Sequence, residues 1–205
     1  MTFTVLTSAL DALRQVTTVA VDTGRLDDPT PCSEWTVAQV LFHAAGDQHA
    51  WASTVGAGSL PSYDPFNPPR RLDGGVQDTV TKAIEAAAGA WAGVDPTASS
   101  VRTPLPPVPE MAPALAAAAC ALDAAVHAWD VAVATGQPAP LTVALAEQLM
   151  PAAHATAEPL RGFAYAPPYP YGPTTTRSPP CCVTSAATRA GHLTASDPHR
   201  RVHRP

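Results

Sequence analysis

The 205-residue sequence predicts an all-α protein, a four-helix bundle followed by a disordered C-terminal tail. Two observations predict the helices: the chain is rich in alanine, which favours helix over strand, and apolar residues recur at helical spacing. A third observation concerns the tail. Residues 1–162 hold 16 acidic residues and 7 Lys or Arg, whereas residues 163–205 hold one acidic residue, five Arg and eight prolines. With so few large apolar side chains, residues 163–205 cannot form a core.

The first helix is predicted over Thr4–Val21, where leucine and valine side chains recur at helical spacing. The second helix has the clearest start, because Thr36 followed by Gln39 is a capping-box sequence. This helix is expected to end near Gly56, ahead of a proline-rich loop.

A third helix is predicted over Gly75–Ala92 and a fourth over Pro113–Thr135, with Gly136 as a natural residue just past its end. A fifth, over Leu141–Leu160, is interrupted by Pro151, which removes one backbone hydrogen bond. Several helices joined by loops favour an antiparallel bundle over residues 1–162.

Charge and hydropathy exclude several classes of protein. A net charge of −5 argues against a nucleic-acid-binding surface, and the N-terminus lacks the basic and apolar regions of a signal peptide. The apolar run Ala114–Ala134 is long enough to cross a bilayer, but it carries Asp123, His127 and Asp130. We therefore expect a cytoplasmic protein that binds neither nucleic acid nor membrane.

Three side chains form a candidate metal site. Asp123 and His127 are four residues apart and share one helix face, and His43 lies in an apolar stretch of another predicted helix. A bundle that brings His43 opposite the pair would give two nitrogens and one oxygen around a divalent metal ion. Three protein ligands leave a position open for water or substrate, as in catalytic sites.

The same residues have simpler interpretations. An acid and a histidine four residues apart are usually a solvated pair, and a lone histidine in an apolar stretch is usually half-buried. Asp130 could bond His127 or pair elsewhere, and Asp47 and His49 are expected at the surface. Ionisable groups on an apolar helix face are costly unless they are paired or metal-bound. The location of Asp123 and His127 on such a face therefore favours a metal site.

Two segments resemble a known family. PTPCSEWTVAQVLFHAAG and ALDAAVHAWDVAVATGQ are similar to the two motifs of actinobacterial proteins related to the metal-binding domain of mycothiol-dependent maleylpyruvate isomerase, in the DinB/YfiT-like superfamily. The resemblance covers about residues 5–162. It implies a four-helix bundle and a metal ion, zinc, bound by His43, Asp123 and His127. It also implies mycothiol as the thiol co-substrate, which attacks an unidentified electrophile in a transfer or isomerisation.

The sequence departs from the family pattern in two places. Maleylpyruvate isomerase has glutamate at the position of Asp123, and its additional C-terminal domain has no counterpart here. Two alternatives therefore stay open: a non-catalytic metal-binding or sensory module, and a structural bundle with a degenerate site. The sequence also leaves open whether the protein forms a homodimer. The basic tail, 163–205, is either a natural disordered segment or the product of a shifted reading frame in GC-rich DNA.

Overall fold

The computed structural model describes residues 3–32, 34–56, 58–106 and 108–160, with the side chains of residues 158 and 160 left out. The described residues form five helices and one short two-stranded hairpin. These are α1 (Thr4–Asp22), α2 (Val37–Val55), α3 (Gly75–Ala92), β1 (Val101–Arg102), β2 (Glu110–Met111), α4 (Pro113–Thr135) and α5 (Val143–Leu160).

The predicted all-α fold is confirmed, with all five helices close to their expected bounds. Helix α5 begins two residues later than predicted, at Val143, and continues through Pro151 instead of being divided by it. Gly136 follows α4 with a φ of 67°, a left-handed conformation that glycine adopts without steric cost. The predicted boundary at residue 162 and the tail, 163–205, lie outside the described residues.

Helices α1 to α4 form the bundle, and α5 packs mainly against α4. The central element is α4, which contacts α1, α2 and α5. Its many alanines allow this close packing because each adds little bulk at a helix–helix contact. Helix α4 is the one helix of the described chain long and apolar enough to cross a membrane, yet 72% of its apolar window is buried inside the bundle. Helix α4 is therefore a core helix of the bundle.

The hairpin lies between α3 and α4, where no strand is predicted from the sequence. Val101 pairs with Met111 and Arg102 with Glu110 in antiparallel register. Strands of two residues are too short to show the alternation by which a strand is recognised in a sequence.

The start of α2 follows the predicted capping box. The Thr36 hydroxyl accepts a hydrogen bond from the Gln39 backbone N–H, and the Gln39 side chain accepts one from the Thr36 backbone N–H. The Gln39 amide also donates to the Pro68 carbonyl at 3.0 Å. The cap therefore fixes both the start of α2 and the loop that follows α2. This loop lies over the candidate site between α2 and α4.

Candidate metal centre

His43 is oriented by the loop between α2 and α3. Its Nδ1 lies 2.7 Å from the Pro65 carbonyl oxygen, which can only accept, so Nδ1 carries the proton and Nε2 keeps its lone pair. The loop approaches this closely because residue 46 is glycine: a Cβ there would overlap the Cβ of Pro65. The imidazole is 1% exposed and packs against the Trp35 ring at 4.9 Å.

His127 is oriented by two carboxylates of its own helix. Its Nδ1 lies 3.3 Å from Asp130 Oδ2, and its Nε2 lies 3.4 Å from Asp123 Oδ1. Asp130 is fully buried and accepts in turn from the Cys32 thiol at 3.5 Å. A carboxylate behind the distal nitrogen is the usual support of a metal-binding histidine, because it fixes the ring and raises its basicity. Of the two roles expected for Asp130, the structure shows the first: its carboxylate forms a hydrogen bond with His127.

The two histidines meet between α2 and α4. Their ring centroids are 4.8 Å apart at an interplanar angle of 88°. One ligand atom from each of His43, Asp123 and His127 lies within 4.8 Å of the other two. The Nε2 atoms of both histidines are buried and make no hydrogen bond of acceptable geometry, although a carboxylate oxygen lies within 3.4 Å of each. The structure therefore brings together all three residues that the sequence singles out.

Asp123 is held by a residue that the sequence analysis missed. The Gln48 amide donates to Asp123 Oδ2 at 3.1 Å, and Gln48 Oε1 accepts from the Cys120 thiol at 3.2 Å. Gln48 is fully buried. Since a buried amide must find partners, Gln48 joins α2 to α4 directly beside the cluster. No spacing in the sequence relates Gln48 to Asp123, which is 75 residues away.

Asp47 also adjoins the cluster, and its prediction as a surface residue was wrong. Its Oδ2 lies 3.3 Å from His43 Nε2, and its side chain is only 22% exposed. Asp47 follows His43 by four residues, as His127 follows Asp123. The repeated four-residue spacing of an acid and a histidine is the signal that could have identified Asp47.

Burial and mutual charge set the protonation of the cluster. Burial and the neighbouring His127 lower the pKa of His43 to about 4, so this imidazole is neutral at physiological pH. Burial disfavours charge on His127, but Asp123 and Asp130 outweigh burial and raise the pKa of His127 well above its ordinary value. Burial opposes ionisation of Asp123, yet the facing His127 lowers the pKa of Asp123 overall. Without metal, His127 and Asp123 form a charged pair.

The donor set fits a divalent transition metal. Two imidazole nitrogens and one carboxylate oxygen are ligands that zinc accepts. The Nδ1 contacts direct Nε2 of each imidazole to the cluster, where Nε2 of neutral His43 is available and Nε2 of His127 becomes available on loss of its proton. Two buried nitrogens without hydrogen bonds are costly in a protein interior, and a bound cation would satisfy both. In chemical terms the arrangement can bind a cation, and the side chains of Asp123 and Asp47 keep 15% and 22% of their surface exposed.

Comparison with known proteins identifies the family of the chain. The family model described as the mycothiol maleylpyruvate isomerase N-terminal domain matches residues 6–132, more than half of the chain and all but the last three residues of α4. Two uncharacterized proteins of Mycobacterium tuberculosis, from strains CDC 1551 / Oshkosh and ATCC 25618 / H37Rv, are each 32% identical over 142 residues. Each alignment covers 66% of this chain and 68% of the relative. No solved structure matches the chain. With a matching family model and these relatives, the chain belongs to the mycothiol maleylpyruvate isomerase N-terminal domain family.

Proposed function

We propose that the protein binds a divalent metal ion, zinc, through His43, Asp123 and His127, and that this centre serves a reaction of a small-molecule thiol, mycothiol. The observation that carries the metal proposal is the pair of buried Nε2 atoms without hydrogen bonds, which face each other beside the Asp123 carboxylate. The thiol enters the proposal from the family to which the chain belongs. When bound, the ion supplies a positive charge that stabilises a thiolate near neutral pH.

The protein's own residues prepare this centre in advance. The Pro65 carbonyl keeps the His43 proton on Nδ1, and Asp130 does the same for His127. The Gln48 amide fixes one oxygen of Asp123, which leaves the other facing His127. Ligands held in place by such partners bind a metal ion without further ordering, and this preorganisation favours affinity.

Two side chains with exposed surface adjoin His43. Phe66 is 55% exposed, and its ring centroid lies 5.8 Å from that of His43. The Asp47 carboxyl group is partly exposed next to the same imidazole, and burial and the neighbouring Asp123 raise the pKa of Asp47 well above its ordinary value. We expect an incoming thiol to meet an apolar ring and the Asp47 carboxyl group before it reaches the ligand atoms.

Cobalt-substituted protein gives the test. Purified full-length protein is stripped with a chelator and reloaded with Co²⁺, and its absorption spectrum is recorded before and after addition of mycothiol. The proposal predicts a saturable spectral change on addition of mycothiol, absent in His127→Ala and retained in His154→Ala, a variant of an exposed histidine on α5. Metal binding with no spectral change would contradict the thiol proposal and favour a metal-binding or sensory module.

Turnover separates an enzyme from a binding module. We expect zinc-loaded protein to consume mycothiol in the presence of small electrophiles, with His127→Ala inactive. A saturable thiol complex without turnover would leave binding as the function. We further propose that the protein is cytoplasmic and that its small-molecule partners are a thiol and an electrophile. We also propose a homodimer, and size-exclusion chromatography with light scattering would test this oligomeric state.

A further inference from the structure

Helices α2 and α4 run antiparallel past the metal cluster. His43 on α2 faces His127 on α4, and further along α2 Gln48 bonds Asp123, which precedes His127 by one helical turn. Asp47 follows His43 by one helical turn and adjoins Asp123. Each helix therefore brings one histidine and one aspartate to the same place, in opposite order along the chain.

The two acid–histidine pairs have nearly the same spacing. Asp47 Oδ2 lies 3.3 Å from His43 Nε2, and Asp123 Oδ1 lies 3.4 Å from His127 Nε2. Ligand atoms that share a tetrahedral zinc ion at bond lengths of about 2.0–2.2 Å lie about 3.3–3.6 Å from one another. Asp47 and His43 therefore have the spacing of adjacent ligands, as Asp123 and His127 do.

No hydrogen bond explains the short distance between Asp47 and His43. The Pro65 carbonyl keeps the His43 proton on Nδ1, so Nε2 presents a lone pair. His43 is 1% exposed, and its Nε2 has no hydrogen-bond partner among the described residues. A lone pair and a carboxyl oxygen that face each other without a hydrogen bond repel, and a cation bound by both would replace this repulsion with attraction.

The charges around Asp47 also favour a cation. Without metal, Asp123 is paired with the charged His127, whereas the imidazole beside Asp47 is the neutral one of His43. Among the described residues no Lys or Arg side chain forms an ion pair with Asp47 or Asp123. Burial and the neighbouring Asp123 raise the pKa of Asp47, as expected for a carboxyl group without a positive partner. A divalent ion would supply that partner.

We propose that Asp47 is a fourth protein ligand of the metal ion, together with His43, Asp123 and His127. This inference rests on the proposed metal centre and adds one residue to it. Two imidazole nitrogens and two carboxylate oxygens are a donor set that zinc accepts. Because zinc can expand from four to five ligands, this set is compatible with the thiol of the proposed function.

Competition with a zinc chelator, on the full chain, tests whether Asp47 contributes to binding. Asp47→Asn keeps the size of the side chain and removes its charge, and Asp27→Asn makes the same change at an exposed residue. We expect zinc affinity to fall about tenfold or more in Asp47→Asn, at least the effect of losing a residue that supports a ligand, and to be unchanged in Asp27→Asn. Equal affinities in the two variants, with both helical by circular dichroism, would overturn the proposal.

Cobalt absorption separates a ligand from a residue that only supports one. A thiolate bonded directly to Co²⁺ gives an intense sulfur-to-cobalt absorption band in the near ultraviolet. We therefore expect this band in cobalt-loaded Asp47→Cys but not in Asp27→Cys, with wild type, which contains the native cysteines, as the baseline. No band in cobalt-loaded Asp47→Cys, or an equal band in Asp27→Cys, would contradict direct binding by residue 47.

The zinc measurements distinguish this inference from the proposed function. A wild-type protein that retains no zinc would contradict the metal centre and the fourth ligand together. A wild-type protein that retains one equivalent, with equal affinity in Asp47→Asn, would contradict the fourth ligand alone.

Discussion

Helix α4 has two contrasting interfaces, one with α1 and one with α2. The α1 side is a conventional core: α1 buries leucine, valine and alanine, and its one buried polar side chain, Thr17, is satisfied by the Leu13 carbonyl at 2.7 Å. The α2 side packs His43 against His127 and bonds Gln48 to Asp123, and two buried ring nitrogens there make no hydrogen bond. Helix α4 thus contributes both an apolar interface of the bundle and two of the three candidate ligands, Asp123 and His127.

The contrast separates an apolar interface from one that buries the candidate ligands. Every buried polar group that a protein leaves unsatisfied costs free energy, so a cluster that keeps two such atoms sacrifices stability at that point. The apolar interface with α1 can offset that cost. Substitutions at the two interfaces should therefore have different effects, on stability at one and on zinc binding at the other. Four predictions test this difference, in order of decreasing effect.

Leu13→Ala should reduce stability without removing the site. Leu13 is fully buried on α1, and truncating such a leucine costs about 2–5 kcal/mol of unfolding free energy through lost burial and a residual cavity. The measurement is urea unfolding followed by circular dichroism. The folded fraction should keep the zinc stoichiometry of wild type. Loss of zinc from protein that is still folded would show that the two interfaces are not separable.

Asp130→Asn should weaken zinc binding about 10- to 100-fold, the usual effect of removing a carboxylate behind a metal-binding histidine. The asparagine keeps the size of the side chain but loses the charge that supports His127 Nδ1. Competition with a zinc chelator measures the change. Asp27→Asn, the same substitution at an exposed residue, is the control, and equal affinities for the two variants would contradict the role given to Asp130.

Zinc affinity should rise with pH. The pKa of His127 in the folded, metal-free protein is raised well above 6.5, so its charged form stabilises that state at low pH, and this stabilisation is lost as pH rises through the folded pKa. Zinc competes with the proton on Nε2. Affinity should therefore increase by up to about tenfold per pH unit below the raised pKa and level off above it. His43, with a pKa of about 4, should not contribute near neutral pH.

Calorimetry in two buffers of different ionisation enthalpy would measure the proton released on zinc binding. A pH-independent affinity with no proton release would contradict the charged His127–Asp123 pair. In Asp130→Asn the rising part of the profile should shift to lower pH, because one carboxylate that raises the pKa of His127 is gone.

Thr36→Ala should have the smallest effect, a loss of about 1 kcal/mol of unfolding free energy, because it removes one side of the capping box at the start of α2. Thermal unfolding measures it. Thr36→Ser, which retains the capping hydroxyl, should stay close to wild type. An equal loss in both variants would show that the hydroxyl is not the stabilising group.

The sequence predicted the helices because their signals are local. The Thr36 and Gln39 cap, the glycine after α4 and the leucine spacing of α1 all act within a few residues. The pairing of Asp123 with His127 was likewise visible as a four-residue spacing on one helix. The placement of His43 opposite them needed the family resemblance, because spacing alone does not determine how two helices pack.

The rest of the site depends on contacts between distant segments. The Pro65 carbonyl that orients His43 is 22 residues away, and the Gln48 amide bonds Asp123 across 75 residues. No local pattern encodes either contact. The close approach of the loop at Gly46 is equally invisible in the sequence, because it depends on where Pro65 lies. Tertiary packing, and not propensity, decides these features.

A measurement of metal content decides whether His43, Asp123 and His127 bind one metal ion. Purified full-length wild type, His127→Ala and His154→Ala are stripped with a chelator, reloaded with Zn²⁺, desalted and analysed for zinc, while circular dichroism checks that each is helical. We expect about one equivalent of zinc in wild type and in His154→Ala. We expect nearly none in His127→Ala that is still helical. A wild-type protein that retains almost no zinc, or a His127→Ala protein that retains as much as wild type, would contradict this expectation.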